Sequence, residues 1–142
     1  MDHIVSRILL IEDDAEDAEL TIHALRKHNL AYPILHIDDG EKALDYLFGE
    51  AQPPALILLD LKMPKVDGIQ ILRRLKADPE RKNIPVVALI SSKEGKNYLE
   101  SFGLVADDYM IKPVDYKQFF TAVGNIGISS RIFGVSSEKP AK

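Results

Sequence analysis

The sequence contains no cysteine, so disulfide bonds, thiolate catalysis and cysteine-ligated metal sites are excluded. It also lacks the ~18 consecutive apolar residues that a membrane-spanning helix needs, and residues 1–7 lack the long apolar core of a secretory signal. Basic residues are not in excess: 18 Lys and Arg stand against 22 Asp and Glu, which gives no basic footprint for nucleic acid. These absences predict a cytoplasmic protein.

The 142 residues are enough for one domain, and 46% of them are apolar. Short apolar segments alternate with amphipathic segments of helical period. The apolar segments lie at residues 8–11, 33–37, 55–59, 85–90 and 108–111. Because near-continuous apolar strands are buried on both faces, the pattern predicts an α/β fold with a doubly wound, five-stranded parallel sheet and helices on both faces.

Beyond Gly127 this pattern fades, which predicts a domain at residues 1–127 and a C-terminal extension at 128–142 with disordered last residues. The end of the domain and the extension are rich in apolar residues: Phe119, Phe120, Val123, Ile126, Ile128, Ile132 and Phe133. This is more apolar surface than a short tail should expose, so we expect a homodimer. The alternative is that Ile132 and Phe133 fold back on the domain.

Polar residues follow the predicted strands, at the edge where ligands bind in open α/β sheets. They are Glu12 and Asp13 after the first strand, Asp60 after the third, Ser91 and Ser92 after the fourth, and Lys112 after the fifth. If the first and third strands are neighbours, three carboxylates converge, and either a pKa rises or a cation lies between them. Ligands that are all oxygen favour a partly hydrated Mg²⁺.

A carboxylate beside Mg²⁺ and a lysine can attack phosphorus and form an aspartyl-phosphate. Asp60 is the best nucleophile candidate because it stands alone at the end of the central strand. Asp13 is the better metal ligand of its pair, and Glu12 acts directly or through water. A single acid after a strand is usually a helix cap, which is our interpretation of Asp14. The full set of polar residues that follow the strands, in this order along the chain, is harder to explain as helix caps.

Three motifs resemble those of response regulator receiver domains of two-component systems, over about residues 7–126. They are Leu-Ile-Glu-Asp-Asp (10–14), Leu-Leu-Asp-Leu-Lys-Met-Pro-Lys-Val-Asp-Gly (58–68) and Tyr-Met-Ile-Lys-Pro-Val-Asp (109–115). The resemblance implies a flavodoxin-like sheet of order 2-1-3-4-5. It also implies a signalling protein rather than an enzyme, one that catalyses only its own phosphotransfer and dephosphorylation.

The resemblance assigns roles as well. Asp60 would accept the phosphoryl group, and Lys112 would contact that group. The Lys112–Pro113 peptide would be cis. Tyr109 would be the aromatic switch residue. Mg²⁺ would be held by four residues, the last through its backbone carbonyl: Glu12, Asp13, Asp60 and Lys62.

One position departs from the family pattern. Receivers carry Thr or Ser 30 residues after the acceptor and 22 before the lysine, and in this sequence that position is Ile90. Ser91 comes one residue late, and successive strand side chains point to opposite faces, so it reaches the site only if the strand has ended or bulges. We therefore predict that phosphorylation survives while its coupling to Tyr109 is weak or uses another route.

Residues 17–21, 38–47 and 112–120 resemble single-domain regulators paired with phytochrome-type histidine kinases. Because the stretch after residue 127 is too short for a DNA-binding output domain, we expect output through protein contacts, a phosphorelay or dimerisation, and not through nucleic acid or a membrane. A degenerate receiver that acts as a phosphorylation-insensitive binding module stays open because of Ile90. A flavodoxin-like electron carrier is less favoured, since the acidic loop at residues 12–17 would repel phosphate. A P-loop hydrolase is excluded because its glycine-rich motif is absent.

Overall fold

The computed structural model describes residues 6–49, 52–63 and 66–134. Five parallel strands form one sheet in the order β2-β1-β3-β4-β5: β1 (Ile8–Ile11), β2 (Ile34–Ile37), β3 (Leu56–Asp60), β4 (Val86–Ile90) and β5 (Asp108–Ile111). The helices in the described part are α1 (Ala15–Leu25), α2 (Gly40–Leu47), α3 (Gly68–Ala77), α4 (Glu94–Glu100), α5 (Tyr116–Asn125) and α6 (Ser129–Phe133). The predicted fold class and strand order are confirmed.

The sheet is buried on both faces because its strand residues alternate between two apolar cores. Leu10 and Leu58 pack with Phe119 on the side of α1, α5 and α6. Leu9 and Leu59 pack on the other side with α2, α3 and α4. Each such side chain contributes roughly 1.5–3 kcal/mol by leaving water, so the strand ends are held by a rigid support.

The strand register brings the predicted site residues to one edge of the sheet. Ile11 lies beside Leu59, Asp60 beside Leu89 and Ile90 beside Ile111. The chain runs from β1 outward to β2 on one side and returns to β3 on the other. The order therefore reverses between β1 and β3, which is where open α/β sheets bind their ligands.

Four of the helices begin in the same way, with an aspartate whose side chain accepts a hydrogen bond from the backbone three residues later. The four residues are Asp14, Asp39, Asp67 and Asp115. The predicted cap at Asp14 is thus present. Helix α4 lacks such a cap and buries Leu99, while Tyr98 and Phe102, which helped to predict this helix, are exposed.

The start of the C-terminal extension packs against the domain. Ile128 and Ile132 are buried in the core beside α5, and the Ala31 N–H donates to the Ile132 carbonyl at 2.8 Å. Phe133 is half-buried against Phe119, with ring centres 5.8 Å apart. The same chain therefore buries Ile128 and Ile132 and partly covers Phe133, three of the apolar residues that suggested a dimer. The disorder expected for residues 136–142 concerns residues outside the described part.

Within the described ranges, no helix combines the length and the apolar character that crossing a bilayer requires.

Candidate acidic site at the strand ends

Three carboxylates meet at the carboxyl ends of β1 and β3, as the sequence predicted. Glu12 and Asp13 follow β1 directly, and Asp60 is the last residue of β3. One ligand oxygen from each lies within 4.8 Å of the others. Glu12 is fully buried and Asp60 is only 4% exposed, whereas Asp13 is open to solvent. The cluster is therefore anchored in the protein on one side and accessible to water on the other.

Lys112 places its ammonium group among these carboxylates. Its Nζ lies 3.0 Å from Glu12 Oε1 and 3.4 Å from Asp60 Oδ1. It also donates to Asp17 Oδ2 at 3.2 Å. The Lys112–Pro113 peptide is cis, as the resemblance implied. One ammonium is thus shared by three carboxylates from three parts of the fold: the end of β1, the first turn of α1 and the end of β3.

Asp17 is a site residue that sequence analysis missed. It lies in the first turn of α1, where an acidic residue is favoured by the helix dipole without any further role. Its position four residues after Asp13 carries no separate signal, because only the tertiary fold brings the first turn of α1 beside Lys112.

Burial and charge in the site shift the pKa values of Asp60 and Lys112. Burial, with the neighbouring charge of Glu12, raises the pKa of Asp60 to about 7, although Lys112 and the Lys62 N–H act in the opposite direction. Burial alone would lower the pKa of Lys112, but the hydrogen bond to Glu12 and the charges of Asp60 and Glu12 raise it above its usual range. Lys112 therefore stays charged, and the cluster still has surplus negative charge.

These residues fit a hard divalent cation. All three donor groups are carboxylates, and the raised pKa of Asp60 reports burial of its charge together with repulsion by Glu12, both of which a cation would offset. Solvent access at Asp13 leaves room for the water ligands that Mg²⁺ usually keeps. The Lys62 N–H donates to Asp60 Oδ1 at 3.3 Å, which keeps the Lys62 main chain beside the acceptor carboxylate.

On the side that faces β4 and α4, Asp60 lines a cleft of about 210 Å³. Ile90, the last residue of β4, is 5% exposed and lines this cleft together with Ser91 and Ser92. Ser91 lies beyond the end of the strand, which is the condition under which it could reach the site. The Ser92 hydroxyl donates to Glu94 at 2.7 Å.

Ile90 is packed against the start of α4. A Cβ on Gly95 would lie 2.6 Å from both Cβ and Cγ2 of Ile90, so the helix approaches this closely because residue 95 has no side chain. Tyr109 is half-buried against the same apolar core, and its hydroxyl accepts from the Ala106 N–H at 3.2 Å. The proposed switch residues Ile90 and Tyr109 therefore share one core, on the α4 side of the sheet.

Comparison with known proteins identifies the family. The family model described as the response regulator receiver domain matches residues 8–124 of this chain. The chain belongs to this family. Response regulator Rcp1 of Synechocystis sp. is 33% identical over 124 residues, 84% of each chain. The bacteriophytochrome response regulator RtBRR superposes with a TM-score of 0.81 at 41% identity, covering 87% of this chain and 79% of that one. The Mn²⁺-bound form of Rcp1 gives 0.68 at 32% identity and covers 96% and 97%.

This receiver is therefore a two-component signalling protein related to phytochrome response regulators, and the resemblance seen in the sequence is confirmed. The match decides against the flavodoxin-like electron carrier. The individual roles of Glu12, Asp13, Asp60, Lys62 and Lys112 remain predictions, for which the structure supplies the geometry.

Proposed function

We propose that this receiver accepts a phosphoryl group on Asp60, with Mg²⁺, from a sensor histidine kinase. The observation that carries the proposal is the position of Asp60 at the end of the central strand, between the two acids of β1 and the ammonium of Lys112. Phosphoryl transfer depends mainly on positioning and on neutralising charge, and this arrangement supplies both.

In this reaction an Asp60 carboxylate oxygen attacks the phosphorus of the donor phosphohistidine. The new O–P bond forms as the P–N bond breaks, and the departing imidazole keeps the bonding electron pair and takes up a proton. Lys112 stands 3.4 Å from Asp60 Oδ1 and can turn its ammonium toward a phosphoryl oxygen. Bound Mg²⁺ would add positive charge at the same oxygens, held by Glu12, Asp13, Asp60 and the Lys62 carbonyl.

The kinase is of the phytochrome type in this proposal. Support comes from the names of the relatives, which include the bacteriophytochrome response regulators RtBRR and AtBRR, both 41% identical to this chain. The phosphorylated cyanobacterial phytochrome response regulator RcpA is 34% identical. The signal would leave through protein contacts or a phosphorelay, and a cytoplasmic location is part of the same proposal.

The homodimer expected from the sequence also stays a prediction. Its original argument is weakened because Ile128 and Ile132 are buried within one chain. Light scattering at micromolar concentration tests it, and a strict monomer with and without a phosphodonor would refute it.

The test of the proposed function is intact mass after incubation with Mg²⁺ and a small phosphodonor. The unmodified protein should gain one phosphate, and Asp60→Asn, which keeps the shape but loses the nucleophile, should gain none. Asp67→Asn is the matched control, because Asp67 caps α3 and lies outside the cluster. A phosphate of equal acid lability on the Asp60→Asn variant would contradict the assignment.

A second candidate is a receiver that is phosphorylated without changing its binding surface. Ile90 favours it, because an isoleucine at the end of β4 cannot donate a hydrogen bond to a phosphoryl group.

A further inference from the structure

Two helices of this receiver begin with the same four-residue pattern, Asp-x-x-Gln, yet use the glutamine differently. At α3 the side chain of Asp67 accepts from the Gln70 N–H, and Gln70 Oε1 accepts from the Asp67 N–H at 3.1 Å. This is a capping box. At α5 the side chain of Asp115 accepts from the Gln118 N–H at 2.8 Å, but the Gln118 side chain does not close the box.

Gln118 instead turns back toward the end of β5. Its Oε1 accepts from the Ile111 N–H at 2.7 Å, and its Nε2 donates to the Ile111 carbonyl at 3.0 Å. The same Nε2 lies 3.3 Å from the Pro113 carbonyl. One side-chain amide therefore holds the residues on both sides of Lys112.

The groups that Gln118 holds are those that an edge strand leaves without a partner. β5 lies at the edge of the sheet, and the Lys112 N–H donates to Ile90 on β4 at 2.8 Å. Because the N–H and C=O of one strand residue point to the side opposite those of the next residue, the N–H and C=O of Ile111 face away from β4. The Gln118 amide supplies the acceptor and donor that a sixth strand would provide, and the loop at Lys112 is fixed from both sides.

The outer edge of β5 also has hydrogen-bond partners near the start of the strand. The Tyr109 N–H, which faces outward like that of Ile111, is bound by its neighbour Asp108 at 2.8 Å. The second oxygen of Asp108 accepts from Asn125 at 2.9 Å. Helix α5 thus contacts β5 through polar side chains near both of its ends, at Asn125 and at Gln118.

We propose that Gln118 is a positioning residue for Lys112 in phosphoryl transfer to Asp60, an inference that rests on the function proposed above. Gln118 does not touch the acceptor carboxylate. It fixes the main chain of Ile111 and Pro113, so that the Lys112 ammonium stands within 3.4 Å of Asp60 Oδ1. Reacting groups that move by about 1 Å can lose on the order of 100-fold in rate, so loosening this loop has a kinetic cost.

The experiment compares Gln118→Ala with Gln70→Ala in the full chain, with Mg²⁺ and a small phosphodonor, and follows phosphorylation by intact mass. We expect Gln118→Ala to lower the maximal rate about tenfold, with the half-saturating donor concentration and the Mg²⁺ affinity unchanged. Gln70→Ala loses the capping box alone and should keep the rate of the unmodified protein. Amide exchange measured by NMR should become faster at Ile111 in the Gln118 variant only.

The outcomes separate this inference from the proposed function. An unmodified protein that gains no phosphate overturns the proposed function and this inference with it. A Gln118→Ala variant as fast as the unmodified protein, or a Gln70→Ala variant slowed to the same extent as Gln118→Ala, overturns the inference alone. If Gln118→Ala does not fold by circular dichroism, Gln118→Glu decides by the same criteria. This second variant keeps the acceptor for Ile111 but lacks the donor for both carbonyls.

Discussion

The two sides of Asp60 carry opposite chemistry. On the β1, β3 and β5 side, Lys112 is shared by Glu12, Asp17 and Asp60, and two of these carboxylates are buried. On the β4 side the strand ends in Ile90, which contacts the backbone of Gly95. The first side is dense in charge, whereas the second is apolar at the strand end and becomes polar at the residues that follow, the exposed Ser91 and Ser92 and Glu94, which accepts from Ser92.

The difference suggests that accepting a phosphate and responding to it are separable. The charged side has what the transfer needs, because its groups can bind a cation and neutralise phosphoryl oxygens. The β4 side connects Ile90 to α4 and to the core that contains Tyr109, which is where a response would travel. Variants on one side should therefore leave the property of the other side largely intact.

The largest effect is expected from Lys112→Ala. Removing the ammonium leaves Glu12 buried without its charge partner, which should cost about 4 kcal/mol of unfolding free energy in EDTA at pH 8. The phosphorylation rate should fall by roughly 100-fold or more, since the ammonium is a preorganised positive group at the acceptor. Urea unfolding and intact mass measure the two effects.

Lys62→Ala is the matched control for this variant. Lys62 lines the cleft on the β4 side of Asp60, its side chain is exposed, and its Nζ is 5.6 Å from the ring centre of Tyr98. We expect its unfolding free energy to change by less than about 1 kcal/mol. Equal losses in the two lysine variants would mean that the charged side is not organised around Lys112.

The second prediction concerns Asp60→Asn and pH. The pKa of Asp60 is about 7 in the folded protein and about 4 in an unfolded chain. The folded state binds more protons between these values, so the stability of the metal-free protein falls as pH rises from about 4 to 7. Asp60→Asn removes this loss and should be about 4 kcal/mol more stable than the unmodified protein at pH 8.

Denaturation in EDTA at pH 4.5 and pH 8 checks the sign. The advantage of Asp60→Asn should be small at the lower pH, where Asp60 is protonated in the folded protein, and full at the higher pH. Added Mg²⁺ should stabilise the unmodified protein more than the variant. An advantage that does not change with pH would show that burial of the Asp60 charge is not its cause.

Most of the fold could be predicted from the sequence because apolar period and turn chemistry act locally. Strands β1 and β3 can be predicted because each is an unbroken apolar run that ends at an acidic residue. The return of α6 to the core could not be predicted in this way. Ile132 has the same sequence signal whether it packs on its own domain or on a second copy, and only the space beside Phe119 decides.

The same limit applies to the site. Glu12, Asp13, Asp60 and Lys112 follow strand ends, so the sheet order alone brings them together. Asp17 and Gln118 were missed, because each has an ordinary local interpretation at a helix N-terminus. The ion pair of Asp17 with Lys112 and the contact of Gln118 with Ile111 exist only in the assembled fold.

The third prediction separates two neighbouring acids on the charged side. Asp13→Ala should weaken Mg²⁺ binding about 100-fold, since Asp13 is the exposed carboxylate of the cluster and would be a direct ligand in the proposed site. Asp14→Ala should leave Mg²⁺ affinity unchanged but cost about 1 kcal/mol of stability, because Asp14 caps α1 through the Asp17 N–H at 2.9 Å. Calorimetric titration with Mg²⁺ measures the affinities, and equal affinities in both variants would remove Asp13 from the ligand set.

The smallest effect is expected on the β4 side. Ile90→Thr adds a hydroxyl at the end of β4, and a hydrogen bond to a charged group is worth roughly 1.5–3 kcal/mol. The substitution also removes apolar contact with Gly95, which offsets part of this gain. We therefore expect the ratio of switched to unswitched conformations in the phosphorylated protein to rise about tenfold. The readout is the NMR signal of the Tyr109 ring with and without a phosphoryl mimic on Asp60.

Ser91→Ala is the matched control, and it decides between the two residues that line the cleft beside Asp60. Ser91 lies past the last residue of β4, so its hydroxyl is not confined to the strand's alternation. If Ile90 limits the response, Ser91→Ala should leave the small shift of Tyr109 unchanged, and the phosphorylation rate should be the same in both variants. A full Tyr109 shift in the unmodified protein that disappears in Ser91→Ala would show that Ser91 supplies the hydroxyl. The β4 side would then be a polar response element displaced by one residue, and not an apolar one.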